Sequence, residues 1–183
     1  MKRAITQFNT PVLRQKGERI AAVTPEVRKL VEDMLDTMHE ARGIGLAAQQ
    51  VGLARQLCIV EVPAEMDQDE AGHRLNPDLA MPMVVMNPEI LSVSDRNWDY
   101  EEGCLSFPEI TGRIRRPWGI RLRYLALDGQ TREIDAQGLV ARALQHEIDH
   151  LNGVLFIDRM SNVRRVSLSG KLKRLSRQTE AGG

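Results

Sequence analysis

The chain has 183 residues, 42% of them apolar, which is enough to bury one sizeable core and argues against two domains. Twenty-five basic residues balance twenty-five acidic ones, which excludes a global field drawing the molecule to DNA or to an anionic membrane. Two cysteines, Cys58 and Cys104, are too few for a disulfide scaffold, and the first twenty residues lack the apolar stretch of a signal peptide, so a soluble, cytoplasmic protein is expected.

The first predicted element is a helix opening at Thr24-Pro25, an N-cap followed by a first-turn proline, with Val27, Leu30, Val31, Met34 and Met38 on one stripe and Gly43 at its end. Gln56 to Val62 reads as a strand in which Cys58 is a small buried hydrophobe, and Val84 to Met86 as a shorter strand. Between them, Pro63 to Pro82 is polar, acid-rich and broken by prolines, the signature of a surface loop on which His73 stands alone and solvated. Ile120 to Leu127 and Thr131 to Ala136 are strands joined by a hairpin turn at Asp128-Gly129. Leu139 to Leu151 is rich in helix formers, and Asn152-Gly153 supplies a left-handed stop. A last helix covers Asn162 to Arg177, about 162–178. The order predicts an α+β fold over residues 1–183, with antiparallel strands around a central helix.

The sharpest chemical signal is His146-Glu147-Ile148-Asp149-His150 within the predicted central helix. Four-residue spacing stacks His146 and His150 on one face, so both imidazoles reach one cation, and Glu147 can reach a water on it as general base. A catalytic site of this kind needs a third protein ligand and an open position. Downstream acids are poorly placed, Asp158 too near and Glu180 close to the C-terminus, which weighs against an ordinary helix-based metallopeptidase. Cys104, within Glu102-Gly103-Cys104-Leu105-Ser106, is the better source, since a thiolate binds a borderline metal strongly. A non-catalytic module with structural zinc would need a fourth protein ligand, and no candidate stands beside these three. Gly43-Ile44-Gly45-Leu46-Ala47-Ala48-Gln49-Gln50 closes a helix rather than opening one, so it is no phosphate loop. Its glycines allow close backbone approach to a ligand, and Gln50 offers an amide donor for an oxyanion; a purely structural turn fits it as well.

Together the three segments, Gly43 to Gln50, Glu102 to Ser106 and His146 to His150, resemble the peptide deformylases in motif and order, over essentially the whole chain. That resemblance implies removal of the formyl group from the N-terminal methionine of new polypeptides. It implies a metal held by Cys104, His146 and His150, Glu147 as acid and base, and Gln50 with the Leu105 backbone N–H on the oxyanion. Leu139 and Ala143 lie on the metal-facing side of the helix and with Ile44 and Gly45 can line a methionine pocket, although core packing explains Leu139 and Ala143 equally. Arg142 lies close by, and Arg116 can pair with Glu102 behind the site. Ligand chemistry alone nominates zinc, whereas the resemblance implies Fe2+, replaceable by Ni2+, Co2+ or Zn2+. The Pro63 to Pro82 loop is longer than in compact family members. From Arg159 to Thr179 there are seven basic residues and no acid, over a stripe of Leu168, Leu172 and Leu175. That segment reads either as a solvated helix or as a ribosome contact.

Overall fold

The computed structural model describes residues 2–182. Helix α1, Pro25–Glu40, starts where the sequence predicts: the Thr24 side chain accepts from the Val27 N–H, and Pro25 fills the first turn. Five strands form one antiparallel sheet in the order β1-β2-β3-β6-β7, from Gly45–Ala47, Leu57–Val60, Met83–Val93, Gly119–Leu125 and Thr131–Gln137. Strands β4, Asn97–Gly103, and β5, Thr111–Pro117, pair only with each other.

Alternation along the strands explains the layering. In β2, Cys58 and Val60 face one apolar cluster with Val140, Ala141 and Leu144 of helix α2, Gly138–Leu151, while Leu57 and Ile59 face a second cluster with Leu30, Val31 and Met34 of α1. Met83 and Val85 join the first cluster and Met86 the second, so the middle of the sheet is covered on both faces. Cys58 is fully buried in this core, as its apolar surroundings in the sequence suggest. Helix α2 is buried almost end to end, because it also carries the β4–β5 hairpin: Arg142 donates to the carbonyl oxygens of Ile114 and Trp98, and Gln145 to that of Pro117. A third cluster, with Phe107, Ile114, Phe156, Met160, Leu168 and Leu175, seats the C-terminal segment beneath the hairpin. Gly112 of β5 leaves room there for the end of the Met160 side chain, which a Cβ would push aside.

Several expectations need correction. The strand predicted over Val84 to Met86 runs from Met83 to Val93; its second half is largely exposed and mixes Pro88, Glu89 and Ser92 with the apolar Ile90, Leu91 and Val93, so no buried face is patterned there. Strands β1, β4 and β5 were not expected either: β1 is only three residues long, β4 buries only Glu102, and the buried face of β5 is Gly112, Ile114 and Arg116. The last helix is two, α3, Asn162–Ser167, and α4, Ser169–Ala181. Ser167 Oγ donates back to the Arg164 carbonyl at 2.7 Å, a local bond that competes with helix continuation, and Gly170 follows. The Pro63 to Pro82 loop is not wholly at the surface, for Asp67 and Asn76 are buried. The Asp67 carboxylate accepts from the Asn76 N–H and from Arg74, and the Asn76 amide pairs with the Gln137 backbone through its Oδ1 and Nδ2, at 2.9 and 3.1 Å. Polar residues can be buried when each donor and acceptor is met, a condition invisible to composition. His73 is 81% exposed beside Asp69, as expected of a solvated loop histidine. Leu168 and Leu175 are buried and Leu172 packs against the third cluster, so the leucine stripe is the face that docks α4 on the body.

Candidate metal centre

Helix α2 places His146 and His150 on one face, their ring centroids 5.1 Å apart. Strand β4 ends at Gly103 and delivers Cys104 to the same point: ligand atoms of Cys104, His146 and His150 all lie within 4.8 Å of one another, with Cys104 Sγ 3.3 Å from His150 Nε2. His146 Nδ1 lies 3.0 Å from a Glu102 carboxylate oxygen, which leaves its Nε2 for an ion. One thiolate and two imidazoles, held by a hairpin end and a buried helix, fit a divalent transition metal with a further position open to the cleft. His150 Nδ1 is buried and has no hydrogen-bond partner among the described residues.

Behind the ligands lies a charged chain that the sequence only partly disclosed. Arg116 donates to both Glu102 oxygens, at 2.6 and 3.0 Å, and with its other nitrogen to Asp149 at 2.8 Å. Arg159 donates to the far oxygen of Asp149 at 2.7 Å, and Arg142 adds a further donor to Glu102. The pairing of Arg116 with Glu102 was anticipated; the parts played by Asp149, Arg159 and Arg142 were not. Burial disfavours the Glu102 anion, but the His146 and Arg116 donors outweigh it and pull the carboxyl down to about 2. Burial likewise works against a charged His146, yet the Cys104 sulfur and Glu102 raise its pKa well above the ordinary range, so an ion taking Nε2 would displace a proton. Arg116→Ala would take the bridging guanidinium from two buried carboxylates, leaving Glu102 to Arg142 and His146 and Asp149 to Arg159. It is expected to destabilise the protein by roughly 3–5 kcal/mol, the usual loss on breaking a buried pair; urea unfolding of metal-loaded protein measures it, and a change below about 1 kcal/mol would contradict the network's role.

Glu147 points to the cleft side of α2. Burial pushes its carboxyl up to about 7, and its Oε2 is buried with no hydrogen-bond partner among the described residues. It fits only because residue 45 is glycine: a Cβ there would lie 2.9 Å from the Glu147 carboxyl carbon. Gln50 is held from behind, its Oε1 accepting from the Ala47 N–H at 2.9 Å, so its Nε2 is directed to Cys104 Sγ and Ser106 Oγ, at 3.4 and 3.3 Å. The adjoining cleft is about 500 Å3, within the range of ligand pockets. Ile44, Gly45, Gln50, Cys104, Leu105, Leu139, Ala143, His146 and Glu147 all line it, whereas His150 is buried behind them. Leu139 and Ala143 therefore face the cleft as well as the core. Sequence reasoning missed the rim, formed by Arg42, Tyr100 and Met66, the last brought in by the loop that runs from Pro63 to Pro82. None of these three side chains carries a motif, so only the fold assembles them.

Residues 2–166 match the family model described as polypeptide deformylase. The peptide deformylase of Opitutus terrae is 47% identical over 187 aligned positions covering 99% of this chain and 96% of that protein. That of Agrobacterium fabrum is 44% identical over 167 positions, 91% and 92% of the two chains. Among solved structures, peptide deformylase from Ehrlichia chaffeensis superposes with a TM-score of 0.85 at 37% identity, covering 97% of this chain and 98% of that one. A second structure of that protein holds actinonin.

Proposed function

The chain belongs to the polypeptide deformylase family, and from that premise we propose the residue roles, the metal and the setting of its reaction. The activity is the family's: hydrolytic removal of the N-formyl group from nascent peptides. The observation that carries the residue assignment is the convergence of Cys104, His146 and His150 at one point of a cleft that Glu147 and Gln50 also line.

Cys104, His146 and His150 hold the metal. A divalent cation there would supply Lewis acidity and make a water easier to deprotonate. Glu147 accepts the proton of the attacking water, whose oxygen bonds to the formyl carbon. Gln50 Nε2 and the Leu105 N–H donate to the formyl oxygen as negative charge builds on it. Glu147 then returns the proton to the amine nitrogen as the C–N bond breaks, and formate and a free N-terminal methionine leave. Ile44, Gly45, Leu139 and Ala143 form the wall against which the methionine side chain packs.

The metal we propose is Fe2+, with Ni2+, Co2+ or Zn2+ able to replace it; family resemblance supports iron, while the donor set suits zinc also. Residues 1–183 are read as one domain, and the cytoplasm as its location; among the described residues no helix is long and apolar enough to cross a membrane. Formate release from formyl-Met peptides by anaerobically purified, iron-bearing protein tests the whole reading. Internal peptide cleavage without formate, or full activity on zinc in protein that never carries iron, would overturn the part concerned.

The C-terminal helices are proposed to contact the ribosome. Arg165, Lys173 and Arg177 are exposed around one groove, while the leucines beneath fix α4 to the body. Replacing these three by Gln leaves the docking leucines intact. It is expected to weaken ribosome cosedimentation and reduce its salt slope by about 2–3, with short-peptide turnover unchanged. Equal cosedimentation at low salt would refute the contact.

A further inference from the structure

The N-terminal segment passes from α1 to α4 and touches both halves of the oxyanion site on its way. Lys2 pairs with Glu40, and the Arg3 N–H donates to Thr37 Oγ1 of α1. The Thr6 N–H then donates to the Gln50 carbonyl at 2.8 Å, and two residues later the Phe8 N–H donates to the Ser106 carbonyl at 2.9 Å. Between them the Gln7 side chain reaches the Leu105 carbonyl at 3.5 Å and the Ile5 carbonyl at 3.1 Å. The Phe8 ring stacks on Phe107 at 4.8 Å, and Asn9 donates to Glu180 of α4 at 2.8 Å. None of these strap residues lines the catalytic cleft.

Gln50 and Leu105 are far apart in sequence and lie on separate elements: Gln50 in the short helix Ala48–Val51 after β1, Leu105 in the turn after β4. No backbone ladder joins β1 to β4. Three consecutive residues of the strap span the gap, each bonding one of the two peptide segments. We propose that the strap Thr6–Phe8 is a positioning device that sets the distance between the two oxyanion donors, Gln50 Nε2 and the Leu105 N–H. The inference rests on the oxyanion roles assigned above. Its physical ground is that donors of this kind act only when fixed beforehand at the place where charge develops, and a misplacement of about 1 Å costs up to about 10²-fold in rate.

Proline removes a backbone donor, whereas alanine keeps it. Thr6→Pro in the full-length, metal-loaded enzyme is expected to lower kcat on a formyl-Met peptide by about tenfold, with KM within about twofold, because the donors act on the transition state rather than on bound substrate. Thr6→Ala, which retains the N–H, is expected to recover the rate, and Gln7→Ala to fall between the two. Metal content and Tm are measured on every variant, and Gln50→Ala is run beside them. If Thr6→Pro keeps kcat while Gln50→Ala loses it, the strap inference fails alone. If Gln50→Ala keeps full kcat, the oxyanion reading fails and the strap inference with it. Loss of metal or of Tm in proportion to kcat, or an equal loss in Thr6→Ala, also overturns the inference and assigns the strap to the scaffold.

Discussion

Glu147→Gln should lose formate release by about 10²- to 10⁴-fold while the protein keeps its metal, the range general acid–base groups contribute. The upper end is expected, because one carboxylate serves both the attack of water and the departure of the amine. Its surroundings favour that duty. Burial raises the carboxyl to about 7, near the pH at which a proton is both taken and returned readily, and one of its oxygens is committed to no other group among the described residues. Glutamine matches glutamate in size, so it fits against the bare backbone of Gly45 without displacing it, and the ligands on either side of it in α2 keep their places. Metal analysis beside single-turnover kinetics decides the matter. A metal-free Glu147→Gln protein would make Glu147 a ligand, and a metal-loaded one near full rate would strip it of the proton transfer.

Cys104→Ala and His150→Ala should lose metal and activity together. Each removes one of three ligand atoms that lie within 4.8 Å of one another, and no other His, Cys, Asp or Glu among the described residues completes that group. Loss of a partner behind a metal ligand typically costs about 10–100-fold in affinity, and loss of a ligand itself should exceed that. Dialysis of both variants against a graded chelator, with metal measured at each step, gives the affinity directly. Retention of stoichiometric metal by Cys104→Ala at chelator strengths that the parent protein survives would remove the thiolate from the ligand set.

Much of the centre was legible because it is written locally. His146 and His150 are four apart on a helix whose apolar pattern is strong, and Glu102 to Ser106 and Gly43 to Gln50 are each continuous. What escaped is what depends on contacts between distant segments. Asp149 stood inside the histidine motif, yet its partners Arg116 and Arg159 come from β5 and from beyond α2. Strand β4 buries only Glu102, and the buried face of β5 is Gly112, Ile114 and Arg116, so a hairpin whose outward residues are Arg113, Arg115, Asp99 and Glu101 shows no apolar alternation to read. The anchoring of the Pro63 to Pro82 loop depends on Asn76 meeting the Gln137 backbone, which neither residue announces. The strap is likewise silent, since backbone N–H groups do the bonding and any non-proline residue supplies one.

The β4–β5 hairpin shares no strand ladder with the main sheet, and Cys104 leaves its end while both histidines belong to α2. An ion shared by these residues is therefore a cross-link as well as a reagent. It closes the chain between residues 104 and 146 in the way a covalent bridge would, and binds only the assembled form. Mass action then converts free metal into cohesion, about 1.4 kcal/mol for each tenfold excess over the dissociation constant. Oxidation of the Cys104 sulfur removes the rivet at the same moment as it removes the reaction, so an air-damaged molecule is a looser one, with its hairpin held to α2 by the arginine–carboxylate chain and by the Arg142 and Gln145 bonds to hairpin carbonyls, without the ion.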